Sequence, residues 1–597
     1  MRCEALGLAL IASVLVVSCS RKDRGTQRVA IPPFENLATP ELNWMSHGFA
    51  EAVRLQLAGS PHIEPVPISA LRDAPAVGAS QVLEGRFSLR GGRLHVEAVL
   101  EDAVRVRDLG TIRASGPVGE LLPLAQVIAR GIDPGARPLP TSNPQAFEAY
   151  IAAIRATDPA AADAGFDRAV GADPEFGVAY LAWTQSLTAR GEGARAARVL
   201  AAAREKAAGF QAIERARLDL AGSVLAGDRA GERRALIALM GADPADASVY
   251  RRLSDLDAAA HSYRDAAAFC QRAFEREPAE VLLLNQLGYQ RAWAGDLDGA
   301  LEALERYRSQ RPAEANPIDS RGDVYYWFGR FAEAEQAYRE AYAKDTSFEG
   351  GAEPYKIAWT RLMQGDLKGA DASFAEFLQA RKSAGDSLVE YRQAQWEHLT
   401  GRHQDAFARL ERFASSARLA EASLSYAQLA VWLVEAGDGQ RARDYAAKAS
   451  APLPVVLLVR FLTQPPTTAA EWSARAASAF PAPAQAGFRG LALAYALLLS
   501  HDFAAAVGPL QQICDATEPS SPDWPAVPLA WALIETGKVD RVPPLLSGNR
   551  APNPAAESPL QSLIFPRALY VHAAVAARQG RRDEAQADLK LFSRYGG

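Results

Sequence analysis

A cysteine stands at the end of an apolar run near the start of the chain. In the stretch SVLVVSCSRKD, residues 13–23, Cys19 follows the aliphatic residues and comes two residues before the first charge. Such a thiol could lie in a core, form half of a disulfide or be a site of covalent chemistry. The run from Ala5 to Val17 is shorter than the roughly 20 residues that a membrane-spanning helix needs. Its length is typical of a signal-peptide core, so residues 1–18 are predicted to be a signal peptide.

The residues that end this run favour covalent chemistry. The sequence Val-Val-Ser-Cys at 16–19 resembles the bacterial lipobox, in which the cysteine is diacylated and becomes the new N-terminus. Two acyl chains hold a protein at a membrane, whereas one gives only marginal binding. The resemblance implies lipidation at Cys19, a lipidated tether over 19–27 and a periplasm-facing protein in the bacterial envelope. Ser20, in place of the aspartate associated with inner-membrane retention, favours the outer membrane. The alternative is an ordinary signal peptide in which Cys19 is incidental.

Other residues that could carry chemistry form no known catalytic pattern. The sequence has no P-loop, no H-E-x-x-H, no G-x-S-x-G and no paired C-x-x-C motif. His398 and His403 flank Gly401, but without a nearby cysteine or third histidine they are interpreted as polar residues at helix ends. Cys270 and Cys514 are predicted to be buried free thiols. The chain is therefore predicted not to be an enzyme, to bind no cofactor or metal and to lack a tight cluster of ionisable groups with perturbed pKa values. An enzyme whose active site has no sequence signature is the alternative.

Length and charge set the class of protein. The 597 residues exceed one hydrophobic core, so several domains or a repeat array are expected. The hydrophobic fraction of 49% and charged fraction of 23% are those of a globular protein. A formal net charge of −5 gives no basic stripe for nucleic acid, so no nucleic-acid partner is predicted.

A repeated helical pattern organises most of the chain. In residues 283–312 apolar residues recur at helical spacing on both sides of Gly295, which predicts two amphipathic helices joined by a tight turn. Gly288 and Gly295 recur 34 residues later as Gly322 and Gly329. A helix-turn-helix unit with this period resembles the tetratricopeptide repeat. We expect small residues such as Gly288 wherever the two helices of a unit approach closely.

The repeats extend over the rest of the chain. Regular repeats are predicted over 143–450, a Pro-rich interruption over 451–485 and degenerate repeats over 486–597. The interruption could be a distorted repeat or a break between two blocks. The expected turn residues are Gly295, Gly329, Gly365, Gly401, Gly437, His501, Gly537 and Gly580. About twelve hairpins are expected in this all-α solenoid.

A different pattern precedes the repeats. Short alternating strands, a hairpin at Gly91-Gly92 and two amphipathic helices predict a small α+β domain over 28–132, with a linker over 133–142. The stretches VAIPPFENL, GFAEAVRLQL and QVLEGRFSLRGGRLHVEAVLEDA resemble the TolB-like domain that precedes tetratricopeptide repeats in bacterial proteins. That resemblance implies a fold and a non-catalytic role.

The concave groove of the repeats is the predicted binding site. Stacked hairpins expose one face of each first helix, which suits a peptide or a helix. The register of the family places nine residues on that face: Asn285, Tyr289, Asp319, Asp323, Tyr326, Tyr355, Trp359, Tyr391 and Gln395. The two aspartates favour a basic or hydrogen-bond-donating ligand. The leading hypothesis is a lipoprotein that binds a protein or peptide as a scaffold or assembly factor. The alternatives are a small-molecule or glycan receptor and an enzyme.

Overall fold

The computed structural model describes residues 26–482, 485–517, 519, 521, 525–542 and 559–596. Within them a small mixed sheet precedes an all-α array of helical hairpins, so the predicted fold class is confirmed. Two compact units are present: one ends at Val249 and includes Glu275–Glu277, and the other comprises the remaining residues. The predicted signal peptide, Cys19 and most of the predicted tether lie outside the described residues.

One sheet lies in the first unit. Its strands are β1 (Gln27–Ile31), β2 (Glu35–Asn36), β3 (Ile63–Pro67), β4 (Gln81–Arg90), β5 (Arg93–Asp102) and β6 (Arg107–Pro117). The order is β3-β1-β4-β5-β6, and the short β2 lies beside β4. β1 is parallel to both its neighbours, whereas β4, β5 and β6 are antiparallel. The predicted hairpin turn at Gly91-Gly92 joins β4 to β5.

Two helices pack against this sheet, α1 (Trp44–Leu57) and α2 (Leu121–Ile132). The apolar stripe that predicted the first helix is buried at Met45, Phe49 and Val53. Six further helices complete the first unit: α3 (Pro144–Arg155), α4 (Pro159–Ala172), α5 (Gly177–Ala189), α6 (Gly193–Lys206), α7 (Ala212–Ala226) and α8 (Arg229–Ala242).

The sheet and the first hairpins share one hydrophobic core, which runs from Val29 to Ala179. The segment predicted as a linker is held on both sides. Arg137 donates from Nε to the Leu55 carbonyl at 2.7 Å and from Nη1 to Glu214 at 2.8 Å. These contacts explain why the first unit continues past residue 142. The predicted domain limits stay predictions.

The array continues with hairpins of similar length. The helices are α9 (Ala247–Ala259), α10 (Tyr263–Arg276), α11 (Leu282–Trp293), α12 (Leu297–Gln310), α13 (Asn316–Trp327), α14 (Phe331–Lys344), α15 (Glu353–Met363), α16 (Leu367–Ser383), α17 (Val389–Leu399), α18 (His403–Ser416), α19 (Leu419–Glu435), α20 (Gly439–Lys448), α21 (Pro454–Leu462), α22 (Ala469–Ala479), α23 (Ala486–Leu499), α24 (Phe503–Ala516), α25 (Ala526–Glu535), α26 (Arg567–Arg578) and α27 (Arg582–Arg594). In the described ranges, α3 to α24 and the last two helices form twelve pairs.

The turns between paired helices are those predicted from sequence. Every predicted turn residue from Gly295 to Gly580 has a positive φ, including His501. Glycine adopts this conformation at no steric cost, which accounts for its recurrence. The predicted close approach at Gly288 is also present, since a Cβ there would lie 2.8 Å from the Leu304 side chain.

The Pro-rich interruption contains two short helices, α21 and α22, which continue the array. Phe461 and Trp472 pack with ring centroids 5.3 Å apart, and Phe461 also contacts Phe480. α21 contacts α19 and α23, while α22 contacts α23. The segment is therefore a distorted repeat rather than a break in the packing.

The two cysteines of the helical array are buried free thiols, as predicted, and lie in different hairpins. In the part of the chain that the structure describes, no helix is both long and apolar enough to cross a bilayer.

Candidate functional site

The nine residues predicted for the groove lie on the first helices of four successive hairpins, α11, α13, α15 and α17. Asn285, Tyr289, Asp323 and Gln395 are half-buried. The other five, Asp319, Tyr326, Tyr355, Trp359 and Tyr391, are buried. The register inferred from sequence thus places all nine on consecutive helices, and their role in binding stays a prediction.

A buried lysine pairs with both aspartates of this set. Lys356, on α15, is 2% exposed and donates to both carboxylate oxygens of Asp319, at 2.8 and 2.7 Å. It also donates to Asp323 Oδ1 at 3.2 Å and lies 3.4 Å from Glu349. The aspartates therefore already have a cationic partner, which weakens the expectation that they attract a basic ligand.

Tyrosine hydroxyls satisfy the remaining acceptors of Asp323. Tyr338 donates to Oδ1 at 2.8 Å and Tyr289 donates to Oδ2 at 3.0 Å. The Tyr289 hydroxyl also lies 3.1 Å from Ser320 Oγ. Every oxygen of both aspartates thus accepts at least one hydrogen bond, as buried carboxylates require.

Burial and charge displace several pKa values in this cluster. Burial, reinforced by the Asp323 carboxylate, raises the pKa of Asp319 to about 8, although Lys356 acts in the opposite direction. Burial alone would lower the pKa of Lys356, but Asp319 and Asp323 outweigh it and hold that pKa well above its usual value. Burial also raises the pKa of Tyr289 and Tyr338.

The prediction that no such cluster exists was therefore wrong. The residue that sequence reasoning missed is Lys356, which lies 37 positions after Asp319 on the next hairpin. Repeat spacing was the signal that could have paired them. The cluster is nevertheless poorly suited to catalysis, because its donors and acceptors satisfy one another and Lys356 is closed to solvent. Its geometry is that of a structural ion network linking α13, α14 and α15.

The C-terminal hairpin covers the middle of the predicted groove. Phe565 packs edge-on against Trp359 with ring centroids 5.0 Å apart. The Tyr595 hydroxyl donates to the Leu362 carbonyl at 3.2 Å, and Arg594 Nη1 donates to the Gly365 carbonyl at 3.1 Å. Trp359 is 0% exposed as a result of this packing and that of Trp396. The aromatic residues here form a core.

A second contact with the C-terminal region involves the last predicted helix of the groove. Tyr391 donates from its hydroxyl to Gln428 Oε1 at 3.0 Å, and Gln395 Nε2 donates to the same oxygen at 3.0 Å. Gln428 Nε2 in turn donates to the Pro559 carbonyl at 3.0 Å. Both side chains are therefore engaged in internal hydrogen bonds.

Asn285, like Tyr326 and Trp359, has a buried polar atom without a hydrogen-bond partner in the described part of the chain, and in Asn285 it is the amide oxygen. Oδ1 is buried and unpaired among the described residues. It lies one helical turn before Tyr289, whose ring contacts Trp293 and Trp327 at 5.8 and 5.2 Å between centroids. An unpaired amide beside an aromatic row can accept a hydrogen bond from a peptide N–H and pack against its side chain.

The two histidines at the Gly401 turn lie together. Their Nδ1 atoms are 3.2 Å apart, and the ring of His398 stacks on Trp432 at 4.1 Å. Burial lowers the pKa of His398 to about 3, with the neighbouring His403 as a further cause. Within the described ranges, no group of three histidine, cysteine, aspartate or glutamate residues is placed to hold a metal ion.

No protein-family profile matches the sequence, and no curated protein matches it. Among solved structures, the MamA protein is 18% identical and aligns with 29% of this chain and 94% of its own, with a TM-score of 0.25. The structure of MamA from residue 41 to its end, from Desulfovibrio magneticus RS-1, is 16% identical. It aligns with 29% of this chain and 97% of its own, also with a TM-score of 0.25. A tetratricopeptide repeat protein from Parabacteroides merdae ATCC 43184 is 17% identical and aligns with 43% of this chain and 100% of its own, with a TM-score of 0.29. Similarity at these TM-scores identifies neither a family nor a function for this chain.

Proposed function

We propose that the chain is a bacterial lipoprotein that captures a protein or peptide on its helical array, as a scaffold or assembly factor. Cys19 anchors it to the periplasmic face of a membrane. The resemblance to the lipobox, with Ser20 after the cysteine, favours the outer membrane. Residues 28–132 form a TolB-like domain between the anchor and the array, and neither nucleic acid nor a cofactor takes part. The proposal does not assign an enzymatic activity.

The observation that carries the partner-binding part is the unpaired amide of Asn285. Leaving a buried acceptor without a donor costs about 1–3 kcal/mol, and a rotation of the Asn285 side chain that turns this enclosed oxygen toward a partner N–H would recover that free energy. Tyr289 and Trp293 stand beside it with half-buried rings. Large rigid side chains of this kind dominate protein interfaces. The binding surface proposed here therefore centres on α11, away from the part of the groove that the C-terminal hairpin covers.

The anchor is tested by Cys19→Ser in the full chain, with Ser20→Ala as a matched control that keeps the cysteine. The proposal predicts that wild type and Ser20→Ala fractionate with envelope membranes, whereas Cys19→Ser does not. A crosslinking pull-down on the same strains is expected to capture a partner set with the anchored proteins only. If Cys19→Ser fractionates and captures as wild type does, the lipoprotein part is wrong.

One observation favours the receptor alternative. A cavity of about 710 Å³ lies beside the C-terminal hairpin within the second unit. Its volume is in the range of small-molecule sites, roughly 300–1,000 Å³.

A further inference from the structure

The cavity is built from parts of the chain that are distant in sequence. His398 and Trp432, from the ends of α17 and α19, line one side of it. Trp531 of α25 and the residues Arg567 and Tyr570 of α26 line the other. Four exposed residues also line it, His403, Ala436, Glu535 and Gly596, so the cavity opens to solvent.

Its aromatic side chains are held in fixed orientations. Trp432 is stacked under the His398 ring with an angle of 5° between their planes. The Arg567 guanidinium lies 4.5 Å from the centre of the Trp531 ring, within cation–π range. The Trp531 Nε1–H and the Tyr570 hydroxyl both donate to Glu535 Oε1, at 3.2 and 3.1 Å. A ligand therefore meets preorganised apolar walls.

Two buried polar atoms of the lining have no partner among the described residues. Glu435 Oε1 accepts from Arg567 Nη1 at 2.7 Å, but Glu435 Oε2 accepts nothing. The Ser562 hydroxyl is also unpaired, and that residue is 6% exposed. An unpaired buried polar atom costs free energy, and the carboxylate oxygen can only accept a hydrogen bond, whereas the hydroxyl can donate or accept. A ligand that carries N–H donors would satisfy the carboxylate oxygen, and the hydroxyl can accept a second N–H from the same ligand.

The charged side chains of the lining determine which sign of charge a ligand can carry. Glu435 and Glu535 carry two negative charges, and Arg567 carries one positive charge that already pairs with Glu435. His398 is held neutral by burial, since its pKa is lowered to about 3. Among the glutamate and arginine residues of the lining the carboxylates thus exceed the guanidinium by one charge, which disfavours an anionic ligand.

We propose that this cavity binds a small organic cation, with an ammonium or similar N–H donor group on an aromatic or aliphatic body. The donor group bonds to Glu435 Oε2, and the Ser562 hydroxyl accepts a second N–H. The body packs against Trp531, Tyr570 and Phe407. The inference rests on the receptor alternative and is independent of the anchor and of any protein partner.

The test compares three probes of one shape on the purified chain: phenethylamine, 2-phenylethanol and 3-phenylpropionate. None of them contains an indole ring, so a change in the protein's tryptophan fluorescence, to which Trp432 and Trp531 contribute among ten tryptophans, indicates binding, and calorimetry measures the affinity. A charge-assisted hydrogen bond is about twice as strong as a neutral one. The amine is therefore expected to bind at least about tenfold more tightly than the alcohol, and the acid not at all. Equal binding of the three probes, or no binding of the amine, would overturn the proposal.

Variants assign the effect to the two unpaired atoms. Glu435→Gln is expected to reduce the preference for the amine over the alcohol to less than about threefold. Glu397→Gln is the matched control, because it breaks a comparable pair with Arg409 at 2.9 Å outside the cavity. Ser562→Ala loses no internal hydrogen bond and is expected to keep its unfolding midpoint while binding the amine severalfold more weakly. If Glu435→Gln does not fold, Ser562→Ala decides: unchanged amine affinity in that variant contradicts the proposal.

Discussion

Phe565 stands edge-on against Trp359, with ring centroids 5.0 Å apart and ring planes at 88°. This contact joins the segment before the C-terminal hairpin to a helix in the middle of the array. Tyr595 extends it through a hydrogen bond to Leu362. The C-terminal hairpin is therefore part of the core around Trp359, which is fully buried there.

Phe565→Ala is expected to destabilise the second unit by about 3–5 kcal/mol, because it leaves a cavity against a fully buried tryptophan. Urea unfolding followed by tryptophan fluorescence measures the change. Leu589→Ala on α27 is the control, since that side chain is 44% exposed and its loss should cost under about 0.5 kcal/mol. Equal effects of the two substitutions would show that Phe565 does not hold the hairpin in place.

Lys356→Met is expected to be strongly destabilising, by about 3–5 kcal/mol, because it leaves the negative charge of the buried Asp319 and Asp323 pair without its cation. Adding Asp319→Asn and Asp323→Asn removes that charge and should restore most of the lost stability. The free energy of unfolding of the single and triple variants gives the comparison. A triple variant as unstable as the single one would mean that Lys356 acts through packing alone.

The raised pKa of Asp319 predicts a pH-dependent stability. Its pKa is about 8 in the folded chain and about 3.9 in an unfolded one. Between these values the folded chain holds a proton that the unfolded chain releases, so this group's contribution to stability falls as pH rises from about 4 to 8. Asp319→Asn cannot release that proton. The stability of the variant relative to wild type should therefore increase by about 1 kcal/mol or more between pH 5 and pH 8.

Urea midpoints of both proteins at the two pH values measure this difference. A difference between variant and wild type that does not change with pH would contradict the assignment.

Cys270 and Cys514 are expected to resist alkylation in the native protein. Burial raises the pKa of Cys270 to about 12 and also raises that of Cys514. The thiolate is the reactive form, so little of it is present at neutral pH. Mass spectrometry after iodoacetamide treatment should find both thiols free in native protein and modified after denaturation. Rapid native labelling of either one would show that its hairpin opens readily.

Local features of the fold were predictable because each depends on a few neighbouring residues. The positive φ of Gly295 and Gly401 and the close approach at Gly288 follow from residue type and spacing. The buried face of α1 follows from its apolar stripe. The predicted register of the groove likewise placed Asn285 and its eight companions on consecutive first helices.

Long-range features were not predictable from the repeat pattern. The period specifies how one hairpin stacks on the next, but small rotations accumulate along an array. Whether Phe565 reaches Trp359 depends on their sum. The cavity at Arg567 and Trp432 depends on the same packing of the C-terminal hairpin against the middle of the array, and no short sequence pattern predicts it. Lys356 was overlooked because a lysine on a helix is usually exposed.

Partner capture at Asn285 is the central claim, and site-specific photo-crosslinking in envelope membranes tests it most directly. A benzophenone amino acid is placed in one strain at Leu282, which is 59% exposed and lies one helical turn before Asn285, so that the Asn285 amide is kept. In another strain it is placed at Glu302, which lies on the second helix of the same hairpin with its side chain 67% exposed. The account predicts one discrete protein adduct from position 282, none from position 302, and loss of the adduct when Cys19→Ser is added. No adduct at 282, or the same adduct at both positions, would contradict it.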